Sequence, residues 1–131
     1  MKKILIILLI LAAIAVAIYF LIGFRQKGYV KISAEQAHQI MTSGEDYILL
    51  DVRTPEEYAE RHIPGAVLIP DYELKSRAER ELPDKDRLIL VYCRSGNRSQ
   101  KAANALLKMG YTNVKDFGGI IDWPFETERS S

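Results

Sequence analysis

Cysteine is almost missing from this 131-residue chain, where Cys93 stands alone. A single cysteine cannot close an internal disulfide, so packing must hold the fold in any compartment. Histidine is scarce too. His38 and His62 are the only two, and neither has a partner at metal-ligand spacing, so neither a metal site nor another cofactor is expected. An excess of one charge is also absent. The formal net charge is +1, without a lysine-rich run or basic–aromatic interleaving, which leaves nucleic-acid binding without support. Repeats and low-complexity segments are lacking as well.

What the chain does have is one long apolar run. Ile4 to Ile22 holds no charged residue, follows Met1-Lys2-Lys3 and ends at Gly23-Phe24-Arg25-Gln26-Lys27-Gly28. As a helix at about 1.5 Å per residue it nearly spans a ~30 Å hydrocarbon core. A helix packed on a globular core would need a polar face, and this one has none. Ala13-Ile14-Ala15 and Ala15-Val16-Ala17 resemble signal-peptide cleavage sites. Cleavage after Ala17, however, would leave Ile18 to Ile22 as an exposed apolar start. The expectation is therefore an uncleaved, single-pass anchor in the cell membrane through residues 4–22, with residues 1–28 as anchor and flank and 29–131 as one domain. Lys2 and Lys3 nearly balance Arg25, Lys27 and Lys31 in the positive-inside comparison. The short basic leader favours a domain outside the cytoplasm.

Beyond the anchor, short β-type runs alternate with helical stretches, which predicts an α/β fold with a mainly parallel sheet. Strands are expected at Val30 to Ile32, Tyr47 to Val52, Ala66 to Leu68, Leu88 to Tyr92 and Val114 to Phe117, making five. Ser33-Ala34-Glu35-Gln36 and Thr54-Pro55-Glu56-Glu57 have capping-box spacing and open two helices. Asp71 to Glu81 and Arg98 to Met109 supply two more, the last stopped by Gly110.

The informative stretch is Cys93-Arg94-Ser95-Gly96-Asn97-Arg98-Ser99, set between a strand and a helix. Open α/β sheets bind ligands at the carboxyl ends of their strands. A tight loop entering a helix turns backbone N–H groups inward and adds the positive end of the helix dipole. Arg94 and Arg98 add fixed charge, and Gly96 permits the bend. Such surroundings favour a reactive thiolate over a buried, inert thiol. A phosphate-binding loop of the tyrosine-phosphatase kind needs an arginine where this chain has Ser99; a shorter cradle suits a sulfur atom better.

Four signatures in order then resemble a rhodanese domain across about Val30 to Glu126. They are Leu50-Asp51-Val52-Arg53-Thr54-Pro55-Glu56-Glu57-Tyr58, His62-Ile63-Pro64-Gly65-Ala66, the Cys93 to Ser99 loop, and Gly118-Gly119 followed by Trp123. The resemblance implies a rhodanese-like, five-stranded sheet flanked by helices, and a thiosulfate sulfurtransferase. It implies Cys93 as nucleophile, with Arg94, Ser95, Gly96, Asn97, Arg98 and Ser99 binding a small anionic donor such as thiosulfate. The implied acceptor is a thiol, a thioredoxin-like protein or cyanide. Asp51 and Arg53 read first as a structural strand-end pair and second as part of the site's rim. His62 reads as a turn-stabilising hydrogen bonder rather than a base, His38 as a surface residue and Trp123 as packing. Arg61 stands where many relatives carry glycine, in a turn read as lying away from the nucleophile. The rival reading is a membrane-tethered rhodanese module for protein interaction or persulfide sensing.

Overall fold

The computed structural model describes residues 1–23 and 29–131. The flank residues Arg25 and Lys27, on which the orientation argument partly rests, lie outside the described residues. Helix α1 (Lys2–Gly23) carries the apolar run. It is long and apolar enough to cross a membrane, and none of its apolar window is buried against protein.

The remaining elements are β1 (Val30–Lys31), α2 (Ala34–Thr42), β2 (Ile48–Asp51), α3 (Pro55–Glu60), β3 (Val67–Leu68), α4 (Leu74–Glu81), β4 (Ile89–Cys93), α5 (Asn97–Lys108) and β5 (Val114–Gly119). The five strands form one sheet in the order β1-β5-β4-β2-β3. Every neighbouring pair is parallel, so all carboxyl ends gather at one edge.

Strand β4 is buried along its whole length, as a central strand covered on both faces must be. Its alternation divides the core. Ile89, Val91 and Cys93 join Leu74, Ala78, Ala103 and Leu106 under α4 and α5. Leu90 and Tyr92 join Ala37, Ile63, Phe117 and Trp123 beneath α2 and α3.

Both capping boxes form, Ser33 with Gln36 and Thr54 with Glu57. Three expectations change. The helix expected over 71–81 begins as a 3₁₀ turn at Asp71–Glu73, in which the Glu73 N–H donates to the Pro70 carbonyl and the Leu74 N–H to the Asp71 carbonyl. The last strand runs on to Gly119. His38 is no free surface residue; its ring stacks on Phe125 at 3.7 Å. One pairing was not foreseen, since Glu128 forms an antiparallel bridge with His62.

Candidate active site

The carboxyl end of β4 delivers Cys93 into the loop that starts α5. Register between β4 and β5 slips between Val91 and Cys93, so that Cys93 sits opposite Gly119. The Gly96 N–H donates to Cys93 Sγ at 3.0 Å, and Gly96 reaches that position at φ 106°, in the left-handed region. Among the described residues, the N–H groups of Asn97, Arg98 and Ser99 have no acceptor, as the first turn of a helix dictates. These amides and the helix dipole favour negative charge at the loop.

Gly119 closes the other side. The Ile121 N–H donates to the Arg94 carbonyl at 3.2 Å, which turns the Ser95 N–H of the same planar peptide the opposite way. A Cβ at 119 would overlap the Arg94 carbonyl and lie 2.6 Å from Ser95 Cα. Only glycine admits this approach. Ser99 Oγ donates to the Gly96 carbonyl at 3.1 Å, and Asp116 Oδ1 accepts the Gly118 N–H at 2.9 Å. The other oxygen of Asp116, Oδ2, is buried and has no partner among the described residues.

Cys93 is only 1 % exposed. The sulfur therefore lies at the floor of the loop. Arg94, Ser95 and Asn97 surround it nearer the surface. On one flank a cleft of about 290 Å³ is lined by Arg53, Glu57, Glu60, Arg61, Arg94 and Ile120, together with Ile121. A broader one of about 600 Å³ borders Ser95, Gly96 and Asn97 on the other flank.

The arginines divide into two kinds. Arg98, expected to meet the donor, instead holds Glu57 in two bonds, Nη1 to Oε1 at 2.7 Å and Nη2 to Oε2 at 2.9 Å. Its side-chain charge is thus met by a carboxylate, while its backbone N–H stays among the free amides of the loop. Arg98 holds the Glu57 carboxyl down to about 2, with a further lowering from the Thr54 N–H working against burial. Arg53 is 4 % exposed and binds Asp51 through Nε at 3.0 Å and Nη2 at 2.7 Å. The same Nη2 donates to the Arg61 carbonyl at 2.6 Å. Asp51 and Arg53 thus tie the strand end to the turn after α3, and Arg53 also lines the cleft. Arg61 and Arg94 have no carboxylate within ion-pair distance among the described residues.

His62 is removed from this group. Its Nδ1 donates to the Tyr58 carbonyl at 2.7 Å and its Nε2 faces Glu128 Oε1 at 3.0 Å, with the ring stacked on Tyr58 at 3.8 Å. Both nitrogens are occupied in fastening a turn. Trp123 packs in the core and donates to the Glu126 carbonyl at 3.1 Å.

Arg61, expected in a turn away from the nucleophile, stands directly after α3. It lines the same cleft as Arg94. No local pattern in the sequence signals this, because the cleft forms only when the turn after α3 meets the loop after β4.

Comparison with known proteins identifies the family and the fold. The rhodanese-like domain family matches residues 33–124. A thiosulfate sulfurtransferase, PspE of Escherichia coli, is 44% identical over 73 residues, covering 56% of this chain and 70% of that protein. A sulfurtransferase of Allochromatium vinosum is 42% identical over 94 residues, covering 71% and 86%. Among solved structures, an Escherichia coli rhodanese with anions superposes with a TM-score of 0.60 at 38% identity, covering 63% of this chain and 98% of that one.

Proposed function

Because the chain belongs to the rhodanese-like domain family, a group of sulfurtransferases by its relatives, we propose that it moves sulfane sulfur from thiosulfate to a thiol through a persulfide on Cys93. The observation that carries this reading is the Gly96 N–H aimed at Sγ, from a loop whose next amides are free among the described residues. A hydrogen bond to an anionic sulfur is stronger than one to a thiol. The same amides then suit the terminal sulfur of a persulfide, which carries its charge one atom further out.

In the first step the Cys93 thiolate attacks the outer sulfur of thiosulfate. A Cys–S–S bond forms, the donor's S–S bond breaks, and its electron pair leaves on sulfite. Charge is conserved, with a thiolate and a dianion giving a persulfide anion and a dianion. In the second step an acceptor thiolate takes the outer sulfur as its own persulfide and returns Cys93 as thiolate. Cyanide would give thiocyanate. With one cysteine in the chain, the sulfur has to leave to another molecule, a small thiol or a thioredoxin-like protein.

The α1 helix serves in this reading as a single-pass membrane anchor, with residues 29–131 as the catalytic domain outside the cytoplasm. Protease added to intact cells should then remove the domain, and survival of the domain until lysis would reverse the orientation.

Intact-mass measurement of the detergent-solubilised chain after thiosulfate treatment should show one added sulfur, absent from Cys93→Ser. Cyanide should remove it as thiocyanate. A chain that gains no sulfur and forms no thiocyanate would refute the enzymatic reading.

A further inference from the structure

The three arginines that line the cleft, and Arg98 behind its Glu57, are unequal, and their inequality points to an anion-binding residue outside the Cys93 loop. Arg53 is neutralised by Asp51 and Arg98 by Glu57. Arg61 and Arg94 line the cleft without such partners among the described residues. We propose that Arg61 is a donor-binding residue, which pairs with Arg94 to receive the sulfonate end of a thiosulfate-like dianion and so sets the preference for doubly charged donors. This deepens the sulfurtransferase reading and rests on it.

Arg61 is pre-placed for that task from both ends. Its carbonyl takes the 2.6 Å bond from Arg53 Nη2, which Asp51 fixes, and its N–H donates to the Glu57 carbonyl. Its guanidinium reaches across the cleft, where Nη2 donates to the Ile120 carbonyl at 3.3 Å. The next residue, Ile121, holds the Arg94 carbonyl, and Arg94 directly follows Cys93. A short series of neighbours therefore runs from the sulfur through Arg94 and Ile121 to Arg61. A guanidinium offers five donors in a planar fork, so one weak bond to a carbonyl leaves most of them available for an oxyanion.

The buried Asp51–Arg53 pair thereby gains a purpose beyond tying a strand end. It fixes the backbone from which Arg61 extends. Glu60 faces the same cleft and opposes the effect. Loss of its charge should act with the opposite sign.

The test separates binding from transfer. In full-length Cys93→Ser in detergent, thiosulfate binding is measured by calorimetry with and without Arg61→Ala. Removing one charge-assisted hydrogen bond should weaken binding about tenfold. Arg61→Lys should restore part of it, and Glu60→Gln should tighten it a few-fold through relief of repulsion. In the Cys93 chain, Arg61→Ala should raise KM for thiosulfate by about tenfold and that for the monoanion methanethiosulfonate by less, with kcat changed little. Unfolding followed by Trp123 emission should match the parent. Equal thiosulfate affinity with and without Arg61 would overturn the proposal, whatever becomes of sulfur transfer. Equal KM increases for both donors would overturn the charge preference. A chain that binds thiosulfate through Arg61 yet never acquires sulfur would instead strike at the catalytic reading alone.

Discussion

Glu57→Gln should destabilise the domain, and do so in a pH-dependent way that identifies the cause. The Glu57 carboxylate takes two bonds from Arg98 and caps α3 through the Thr54 N–H at 3.3 Å. Gln keeps an oxygen for the cap but cannot carry the charge. The carboxyl titrates at about 2 when folded against an ordinary 4.5, so the pair contributes fully above pH 4.5 and its contribution fades as pH falls towards 2. Without screening, the depression would correspond to roughly 3 kcal/mol. With side chains 29 % and 25 % exposed, solvent screening reduces this to about 1–2 kcal/mol. The assay is urea unfolding of the full chain followed by Trp123 emission, the one tryptophan and a core residue. At pH 7 the variant should be less stable by that amount, which is several degrees in Tm for a domain of this size. Below pH 3 the two chains should converge. A gap that stays constant from pH 7 to pH 2.5, or no gap at pH 7, would refute the assignment of Arg98 to Glu57.

Gly119→Ala should displace the Cys93 loop, because its Cβ would meet the Arg94 carbonyl and Ser95 Cα; sulfur loading should fall at least tenfold and stability by about 2 kcal/mol, from steric strain, read by intact mass and urea unfolding. Tyr92→Phe should cost about 1–2 kcal/mol, since the Tyr92 hydroxyl accepts the buried Ile63 N–H at 3.1 Å and Phe leaves that donor unpaired. Burial and nearby Asp51 push the Tyr92 hydroxyl far up, so its titration should stay invisible to absorbance up to pH 11. Asp116→Asn should keep the acceptor for Gly118 while removing a charge from a carboxyl oxygen that has no partner among the described residues; a gain of about 1 kcal/mol is expected in the same unfolding assay, and a loss of that size would show that the charge is met.

Much of this architecture is written locally. Capping boxes act over three residues, and both were readable because Ser33, Gln36, Thr54 and Glu57 need only their own backbone. The Cys93 loop was legible for the same reason, as a strand, a glycine and a helix start in succession. What could not be read was which distant carboxylate each arginine would find. Arg98 meets Glu57 across 41 positions of sequence, and the adjacency exists only because the parallel crossover brings α3 and α5 to one edge. Arg61 belongs to the same class of fact. Its spacing from Cys93 carries no signal, and the cleft that unites it with Arg94 is a property of the assembled sheet. The Glu128 bridge to His62 was hidden likewise, since an isolated pairing leaves no periodic pattern.

The common direction of the five strands gives the domain a front and a back. Val30 lies level with Lys115, while Cys93 lies level with Gly119, roughly 13 Å further along β5 at ~3.3 Å per residue. The polypeptide thus arrives from behind and carries its sulfur at the front. Whatever meets that thiol must approach from the edge opposite the one at which β1 enters the sheet.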